Sequence, residues 1–166
     1  MKEELISYLN NEKALALATG IIGILSTLTA IYFLLFQNHS RSFAFTMLVA
    51  GLIECIFLMG YFGAEKKIRA KVEVFGANPS TIITEQLKKT TGNLKGFLIV
   101  KIIYATFILA GVIVLSKTNV SSALSGILIA VIFHFALAIT IDNVGERYTQ
   151  KYNSFLKQYS GAGNAE

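Results

Sequence analysis

The chain has 166 residues, of which 54% are hydrophobic and 15% are charged, and its mean hydropathy is +0.58. This composition excludes an ordinary soluble protein and indicates an integral membrane protein with one compact domain. The net charge is +5, but the basic residues flank apolar segments, so anionic lipid and topology account for them without nucleic acid as a partner.

Four apolar segments are each long enough to cross a bilayer as a helix. We predict these spans over residues 14–36, 43–63, 97–115 and 123–141. Apolar residues at helical spacing in the short polar stretch before the first span predict a small amphipathic helix on the membrane surface. The first apolar run is too long for a signal peptide and no cleavage site follows it, so we interpret it as a retained span.

Small residues recur at spacings of three and four along the first span, and they include Gly20, Gly23 and Thr27. A stripe of this kind lets a second helix approach closely, which is how helices associate in lipid. We therefore predict that this stripe is a helix-packing face.

Glu54 lies near the centre of the second span, on the same helical face as Tyr61. A carboxyl group at that depth is protonated, paired, or turned towards a cavity or a partner. His134 lies in the middle of the fourth span. Both residues are twelve positions from the charges that end their spans, Lys66 and Glu146, so we predict that Glu54 contacts His134. The alternative is that each group only serves packing between helices and is satisfied locally.

Residues 65–96 form the one substantial loop, which we predict to be cytoplasmic. The second helix is expected to continue into it, and Asn78-Pro79 predicts a break followed by a new helix. That amphipathic loop helix is expected to end near Gly92. The loop has no Gly-rich phosphate-binding motif, so a nucleotide site has no support.

The third span carries Lys101 near its cytoplasmic end, with Tyr104 on the same face. Lys101 is expected either to snorkel to the lipid headgroups or to pair with Asp142 or Glu65. The fourth span has small and polar residues at every fourth position, with His134 in the middle and Asp142 at the end. The cytoplasmic tail, residues 142–166, is expected to continue as a helix that presents an aromatic stripe.

Lysine and arginine positions predict the orientation. Twelve of them lie before the first span, in the 65–96 loop or in the tail, whereas the two short loops contain two. Both termini and the long loop are therefore predicted to be cytoplasmic.

Catalytic and metal-binding motifs are missing from the sequence. Two histidines and the single cysteine, Cys55, give no metal-ligand spacing, and no Ser/His/Asp set can be assembled persuasively at an aqueous surface. We predict that the chain is not an enzyme and takes no cofactor.

Two stretches of the sequence together carry a resemblance to known proteins: a short motif at the end of the fourth span, and part of the long loop upstream of it. The motif residues are Asp142, Glu146, Arg147, Tyr148 and Tyr152, and the loop residues are Asn78, Pro79 and the stretch 85–89. Together they resemble small four-span bacterial inner-membrane proteins of the effector–immunity type, over residues 43 to 155. The resemblance implies an immunity protein in the bacterial inner membrane, which protects the producing cell from its own membrane-targeting toxin. If that toxin forms pores, such a protein needs no catalytic site and is expected to recognise the toxin's helices within the bilayer.

We therefore predict an all-α, integral membrane four-helix bundle with a cytoplasmic amphipathic loop helix and a C-terminal helix. Candidates for recognising a toxin helix are the face around Gly20 and Gly23 and the polar side chains within or next to the spans. These polar candidates are Glu54, His134, Lys101, Tyr104, Asp142 and Tyr61. One alternative is a small ion channel or ion-coupled transporter that uses Glu54 and His134. It requires a homo-oligomer, because a single four-helix bundle is too narrow to conduct. The other alternative is an accessory subunit of a membrane complex.

Overall fold

The computed structural model of the chain describes residues 2–37, 40–120 and 122–162. These residues form four α-helices and no strand: α1 (Lys2–Phe36), α2 (Arg41–Ala77), α3 (Pro79–Leu115) and α4 (Ala123–Ala162). All four helices are long and apolar enough to cross a membrane. The predicted all-helical fold with four such helices is confirmed. The end of the predicted tail, residues 163–166, lies outside the described residues.

The helices are longer than a bilayer requires. They have 35, 37, 37 and 40 residues. At ~1.5 Å per residue each is roughly 50–60 Å long, whereas the hydrocarbon core of a bilayer is about 30 Å thick. Because the connections at 37–40 and 116–122 are short, all four helices extend past the apolar segments at the same end. We call this end the charged extension; it comprises residues 2–13, 65–77, 79–96 and 142–162.

The junction between α2 and α3 is the single residue Asn78. Its side-chain oxygen accepts hydrogen bonds from the backbone N–H of Thr81, at 3.4 Å, and from the hydroxyl of Ser80, at 3.0 Å. Pro79 occupies the first position of α3, where its missing N–H has no helical partner to lose. The break and restart predicted at Asn78-Pro79 are therefore present.

The predicted end of the loop helix near Gly92 is wrong. α3 runs without interruption from Pro79 to Leu115, and Gly92 and Gly96 lie in its interior. A glycine inside a helix costs only about 1 kcal/mol relative to alanine, and no proline follows it to stop the helix. The segment predicted as a loop consists of the ends of two long helices joined at Asn78.

The charged extension has its own hydrophobic core. It is formed by Leu5, Tyr8 and Leu9 of α1, Ile82 of α3, and Tyr152 and Leu156 of α4. The rings of Tyr8 and Tyr152 stack with their centroids 4.4 Å apart. The prediction of a separate surface helix at the N-terminus is therefore wrong, because these residues are the first turns of α1 and their apolar face is buried in protein.

The apolar halves of the helices pack around α2 and α4. A small core joins Ala30 of α1, Met47 of α2 and Ala130 of α4. α3 packs mainly on α4 and meets α2 far less. In the most apolar 18-residue stretch of α3 only 6% of the residues are buried, compared with 22% in that of α1. The apolar half of α3 is therefore the part of the bundle with the least protein around it.

The stripe of small residues on α1 faces α2. A Cβ atom added to Gly23 would lie 2.7 Å from the backbone nitrogen of Cys55 and 2.7 Å from the carbonyl oxygen of Gly51. One added to Gly51 would lie 2.7 Å from the hydroxyl of Thr27, and one at Gly20 would overlap Leu58. Gly20, Gly23 and Thr27 thus form the close contact between α1 and α2 that their spacing predicts.

Candidate functional site

The candidate site is built around Glu54 of α2 and His134 of α4. The Oε1 atom of Glu54 lies 2.9 Å from Nδ1 of His134. Only 16% of the Glu54 side chain and 8% of the His134 side chain are exposed. The contact that was predicted from the depths of the two residues is present. We refer to these two residues as the polar pair.

Small side chains bring α2 and α4 close enough for the polar pair to form. A Cβ atom added to Gly126 of α4 would lie 2.9 Å from the backbone nitrogen of Phe43 and would overlap the hydroxyl of Ser42. One helical turn further along α4, Ala130 is fully buried, and so is Ala44 on α2. Because the helices approach so closely here, side chains of moderate length meet at the next turn of α4, where His134 lies.

One polar atom of each member of the pair has no hydrogen-bond partner among the described residues. These atoms are Oε2 of Glu54 and Nε2 of His134, and both are buried. A carboxylate oxygen accepts, and an imidazole nitrogen donates or accepts according to its tautomer. Buried polar atoms are normally paired. The polar pair is therefore equipped to bind one further polar group of either type.

The polar pair lines a cavity of about 360 Å³, which we call the membrane cavity. All four helices contribute to its wall. α1 supplies Thr19, and α3 supplies Tyr104. α2 and α4 supply the rest: Ala50, Ile53, Glu54, Phe57, His134, Phe135, Ala138, Ile141 and Asp142. Mostly apolar walls with a few convergent polar groups are characteristic of binding sites, and the volume is in the range found for small-molecule pockets.

A second cavity lies between α3 and α4, nearer the charged extension. Its volume is about 300 Å³, and its lining includes Asn93, Gly96 and Phe97 of α3. Tyr104 and Asp142 line both this α3–α4 cavity and the membrane cavity. The two cavities therefore meet at Tyr104 and Asp142, and Asp142 is where the charged extension begins on α4.

Tyr104 is held in place by an aromatic contact with α4. Its ring stacks on Phe135, with the centroids 4.9 Å apart and the planes at 18°. Phe135 follows His134 directly in the chain and also lines the membrane cavity. The stacking therefore fixes the α3 wall of this cavity against the helix that carries His134.

Lys101 does not pair with Asp142 or Glu65, so of the two alternatives predicted for this lysine the pairing is wrong. It forms an ion pair with Glu146 and donates a hydrogen bond to the Oδ1 atom of Asn143 at 3.0 Å. Glu146 lies one turn beyond Asp142, deeper in the charged extension. The long stem of the lysine reaches towards that end, as a snorkelling side chain does.

Tyr61 lies away from the polar pair, at the contact between α2 and α1. The Nζ atom of Lys13 is 5.0 Å from the centre of its ring and 3.0 Å from Oε1 of Glu65. The stripe predicted on α2 therefore serves two neighbours. Glu54 meets α4, whereas Tyr61 and Glu65 meet the lysine on α1.

A buried polar layer in the charged extension escaped prediction from the sequence. Gln86, Thr90 and Asn153 are almost completely buried. Asn153 donates hydrogen bonds to the hydroxyl oxygen of Thr90 at 2.7 Å and to that of Thr91 at 3.1 Å. The sequence does contain one indication of this layer: Ile82, Gln86 and Thr90 are spaced by four and therefore share one face of α3.

No protein-family model, no curated protein and no solved structure matches this chain. Among the described residues, no three His, Cys, Asp or Glu side chains gather in an arrangement that would hold a metal ion.

Proposed function

We propose that the chain is a membrane-embedded binding protein whose site is the membrane cavity with the polar pair. We further propose that it acts as an immunity protein in the bacterial inner membrane. In that role it binds a pore-forming toxin within the bilayer and so protects the cell that produces the toxin. The resemblance of residues 43 to 155 to proteins of the effector–immunity type supports this role.

The observation that carries the binding role is the unused hydrogen-bonding capacity of the polar pair. Oε2 of Glu54 and Nε2 of His134 are buried without a partner among the described residues, beside a cavity of about 360 Å³. Leaving a buried polar group unpaired costs about 1–3 kcal/mol. A partner that brings a hydroxyl, amide or basic group into this cavity would recover that energy.

The exposure of α3 supports a helix as the partner. Its apolar half has the least protein around it, and Leu98, Ile102 and Leu109 are each more than half exposed. Association of helices in lipid relies on close packing together with a few matched polar groups. Ile53 and Phe57 of α2 line the membrane cavity and are also more than half exposed. A toxin helix that lies between α2 and α3 would cover these side chains and present a polar side chain to the membrane cavity.

The distribution of basic residues supports an orientation with both termini in the cytoplasm. The charged extension carries twelve of the fifteen lysines and arginines, and such residues favour the cytoplasmic side. A reporter that is active only in the cytoplasm should be active when fused after residue 166 and inactive when inserted at residue 118. The reverse pattern would contradict the orientation.

A rescue experiment tests the immunity role. The chain is expressed together with the toxin encoded beside its gene, and cell survival is measured. We expect rescue by the natural chain and loss of rescue by Glu54→Ala and His134→Ala. Ile56→Ala is the matched control, because Ile56 is 61% exposed on α2, and it should rescue normally. Membrane levels of every variant are measured alongside.

The outcomes separate the two parts of the proposal. If the natural chain gives no rescue, the immunity role is wrong. If Glu54→Ala and His134→Ala rescue as well as the natural chain, the polar pair is not the recognition site, although immunity stands.

Ion-coupled transport is a second candidate, and it is favoured by the two neighbouring cavities. Both are lined by Tyr104 and Asp142, so polar groups follow one another from the charged extension to the polar pair. Ionisable groups in this arrangement are typical of proton relays in membranes. In liposomes, this function predicts proton flux through the natural chain and loss of flux in Glu54→Gln. Absence of flux through the natural chain would exclude it.

A further inference from the structure

A groove with four converging lysines lies where the apolar halves of the helices meet the charged extension. Its volume is about 270 Å³, and α1, α2 and α3 all contribute to its lining. The lysines are Lys13, Lys67, Lys71 and Lys89. We call this feature the basic groove. It is separate from the membrane cavity, because none of the described residues lines both.

The basic groove is apolar at one end and charged at the other. Ala16 and Gly60, which belong to the predicted spans, line the apolar end. A Cβ atom added to Gly60 would meet nothing within 4 Å, so open space lies beside the helix there. Along α2 the lining continues through Ala64 to Lys67 and Lys71 at spacings of three and four, which places them on one helical face. The groove therefore crosses the boundary between lipid tails and water.

Carboxylates neutralise only part of the positive charge in the basic groove. Among the described residues, Glu12 is the one acidic residue in the lining, and it pairs with Lys89 at 3.0 Å. Lys13 pairs with Glu65 at 3.0 Å, whereas the nearest oxygen of Glu85 is 3.9 Å from Lys71. That last distance is too long for a hydrogen bond, so the ammonium group of Lys71 can bind a closer acceptor.

Lys67 provides further positive charge in the basic groove. It forms no ion pair with any of the described carboxylates. A lysine ammonium has three donors and binds phosphate as a point charge. Lys67 and Lys71 are therefore the two groups in the groove with the most capacity for an added anion.

We propose that the basic groove binds the phosphate of an anionic phospholipid. The headgroup phosphate lies between Lys67, Lys71 and Lys89, and the beginning of one acyl chain follows the apolar end past Gly60 and Ala16. A free phosphate ion would satisfy the lysines but leave the apolar end unused, which is why the structure assigns the site to a lipid. Basic pockets of this kind between membrane helices bind anionic headgroups.

The test compares lipid binding by the intact protein and two charge-matched double variants. The protein is reconstituted in phosphatidylcholine nanodiscs with increasing fractions of phosphatidylglycerol, and bound lipid is measured by native mass spectrometry. Lys67→Gln with Lys71→Gln removes two lysines from the groove. Lys66→Gln with Lys88→Gln removes two lysines of the same extension that do not line it. Both variants therefore have the same net charge.

We expect the groove variant to lose affinity for phosphatidylglycerol by roughly 25-fold, about fivefold for each lysine. The control variant should bind like the natural chain. An equal loss in both variants would overturn the proposal, because only the general charge of the extension would then matter. Loss of folding does not obscure the result, since Lys67→Gln alone changes an exposed side chain and should still lose about fivefold.

Inorganic phosphate tests whether the basic groove binds a free phosphate ion as well as the phosphate of a lipid. It is added at the same concentration of phosphate groups to protein in pure phosphatidylcholine nanodiscs. We expect no specific binding to the natural chain. Binding as tight as that of phosphatidylglycerol would overturn the assignment to a lipid. This test is independent of toxin rescue and of proton flux, so its failure would leave the proposed function unaffected.

Discussion

Glu54 and His134 are 80 positions apart in the chain, yet Oε1 of one lies 2.9 Å from Nδ1 of the other. Glu54 belongs to the first helical hairpin and His134 to the second. Because α2 packs on both α1 and α4, this contact fixes the two hairpins to each other at mid-span. Any partner that binds the free atoms of the pair therefore acts at the point where the hairpins meet.

Energetic coupling between Glu54 and His134 is the first prediction. Glu54→Leu and His134→Leu should each lower the free energy of unfolding by about 1–3 kcal/mol, because each leaves a buried polar partner unpaired. The double variant should be more stable than the sum of the single changes predicts, with a coupling of about 1–2 kcal/mol. The measurement is SDS-induced unfolding in lipid–detergent micelles.

A second cycle on the same two helices serves as the control. Ile56 on α2 and Ile127 on α4 are 61% and 41% exposed. Their alanine variants should be additive within about 0.5 kcal/mol, as expected for independent sites. Additive behaviour of Glu54 and His134 as well would show that the pair does not hold the hairpins together.

Close contact between α1 and α2 gives the second prediction. Gly23→Ala and Gly51→Ala should each destabilise the protein by about 1–3 kcal/mol, because the new methyl group meets backbone atoms that lie within 3 Å and overpacking costs that much. Gly63→Ala is the matched control on α2, where an added Cβ meets nothing within 4 Å. It should be neutral or stabilising by up to about 1 kcal/mol. Equal effects at the three positions would contradict the predicted contact.

The apolar halves of the helices were predictable because membrane helices obey strong constraints. Long apolar runs with short connections leave few alternatives, so the four helices and the side on which their charges gather follow from the sequence. The meeting of Glu54 and His134 followed from counting residues along two helices from their charged ends. Each residue of a straight helix advances the chain by the same distance. Counting residues from the charged end of a helix therefore gives the depth of a side chain in the bilayer.

The charged extension was harder to predict, because its structure depends on contacts between distant segments. Gly92 predicted the end of a helix, but packing of residues 79–96 against α1 and α4 carries the helix past it. The apolar face at Leu5 and Leu9 is equally suited to a membrane surface or to a protein core. Packing of this face against Tyr152 and Leu156, near the other end of the chain, makes it part of a protein core. The partner of Lys101 depended in the same way on how far α4 continues as a helix.

The ion pair between Lys101 and Glu146 gives the third prediction. About a fifth of each side chain is exposed, 21% for Lys101 and 22% for Glu146, so the pair is partly screened. Lys101→Met and Glu146→Gln should each cost about 1–2 kcal/mol, between the values for surface and buried pairs. Exchanging the two charges, as Lys101→Glu with Glu146→Lys, should recover at least half of the loss in thermal unfolding. A swap variant that is less stable than either single variant would contradict the pairing.

The side chain of Gln86 gives the fourth prediction, in which a substitution stabilises the protein rather than destabilising it. It is fully buried, and neither its nitrogen nor its oxygen has a hydrogen-bond partner among the described residues. Gln86→Met keeps nearly the same shape and removes the unpaired groups, so it should stabilise the protein by about 1–2 kcal/mol. Asn153→Leu should destabilise it by about 1–3 kcal/mol, because Asn153 donates to Thr90 at 2.7 Å and to Thr91 at 3.1 Å.

Exposed Gln158 provides the matched control for Gln86. Gln158→Met makes the same chemical change at the surface of α4 and should alter the free energy of unfolding by no more than about 0.5 kcal/mol. If Gln86→Met instead destabilises the protein by more than about 1 kcal/mol, the amide of Gln86 forms hydrogen bonds in the folded state. The polar layer of the charged extension would then be fully paired and would not lower the free energy of unfolding. Its role would be to fix how α3 and α4 align.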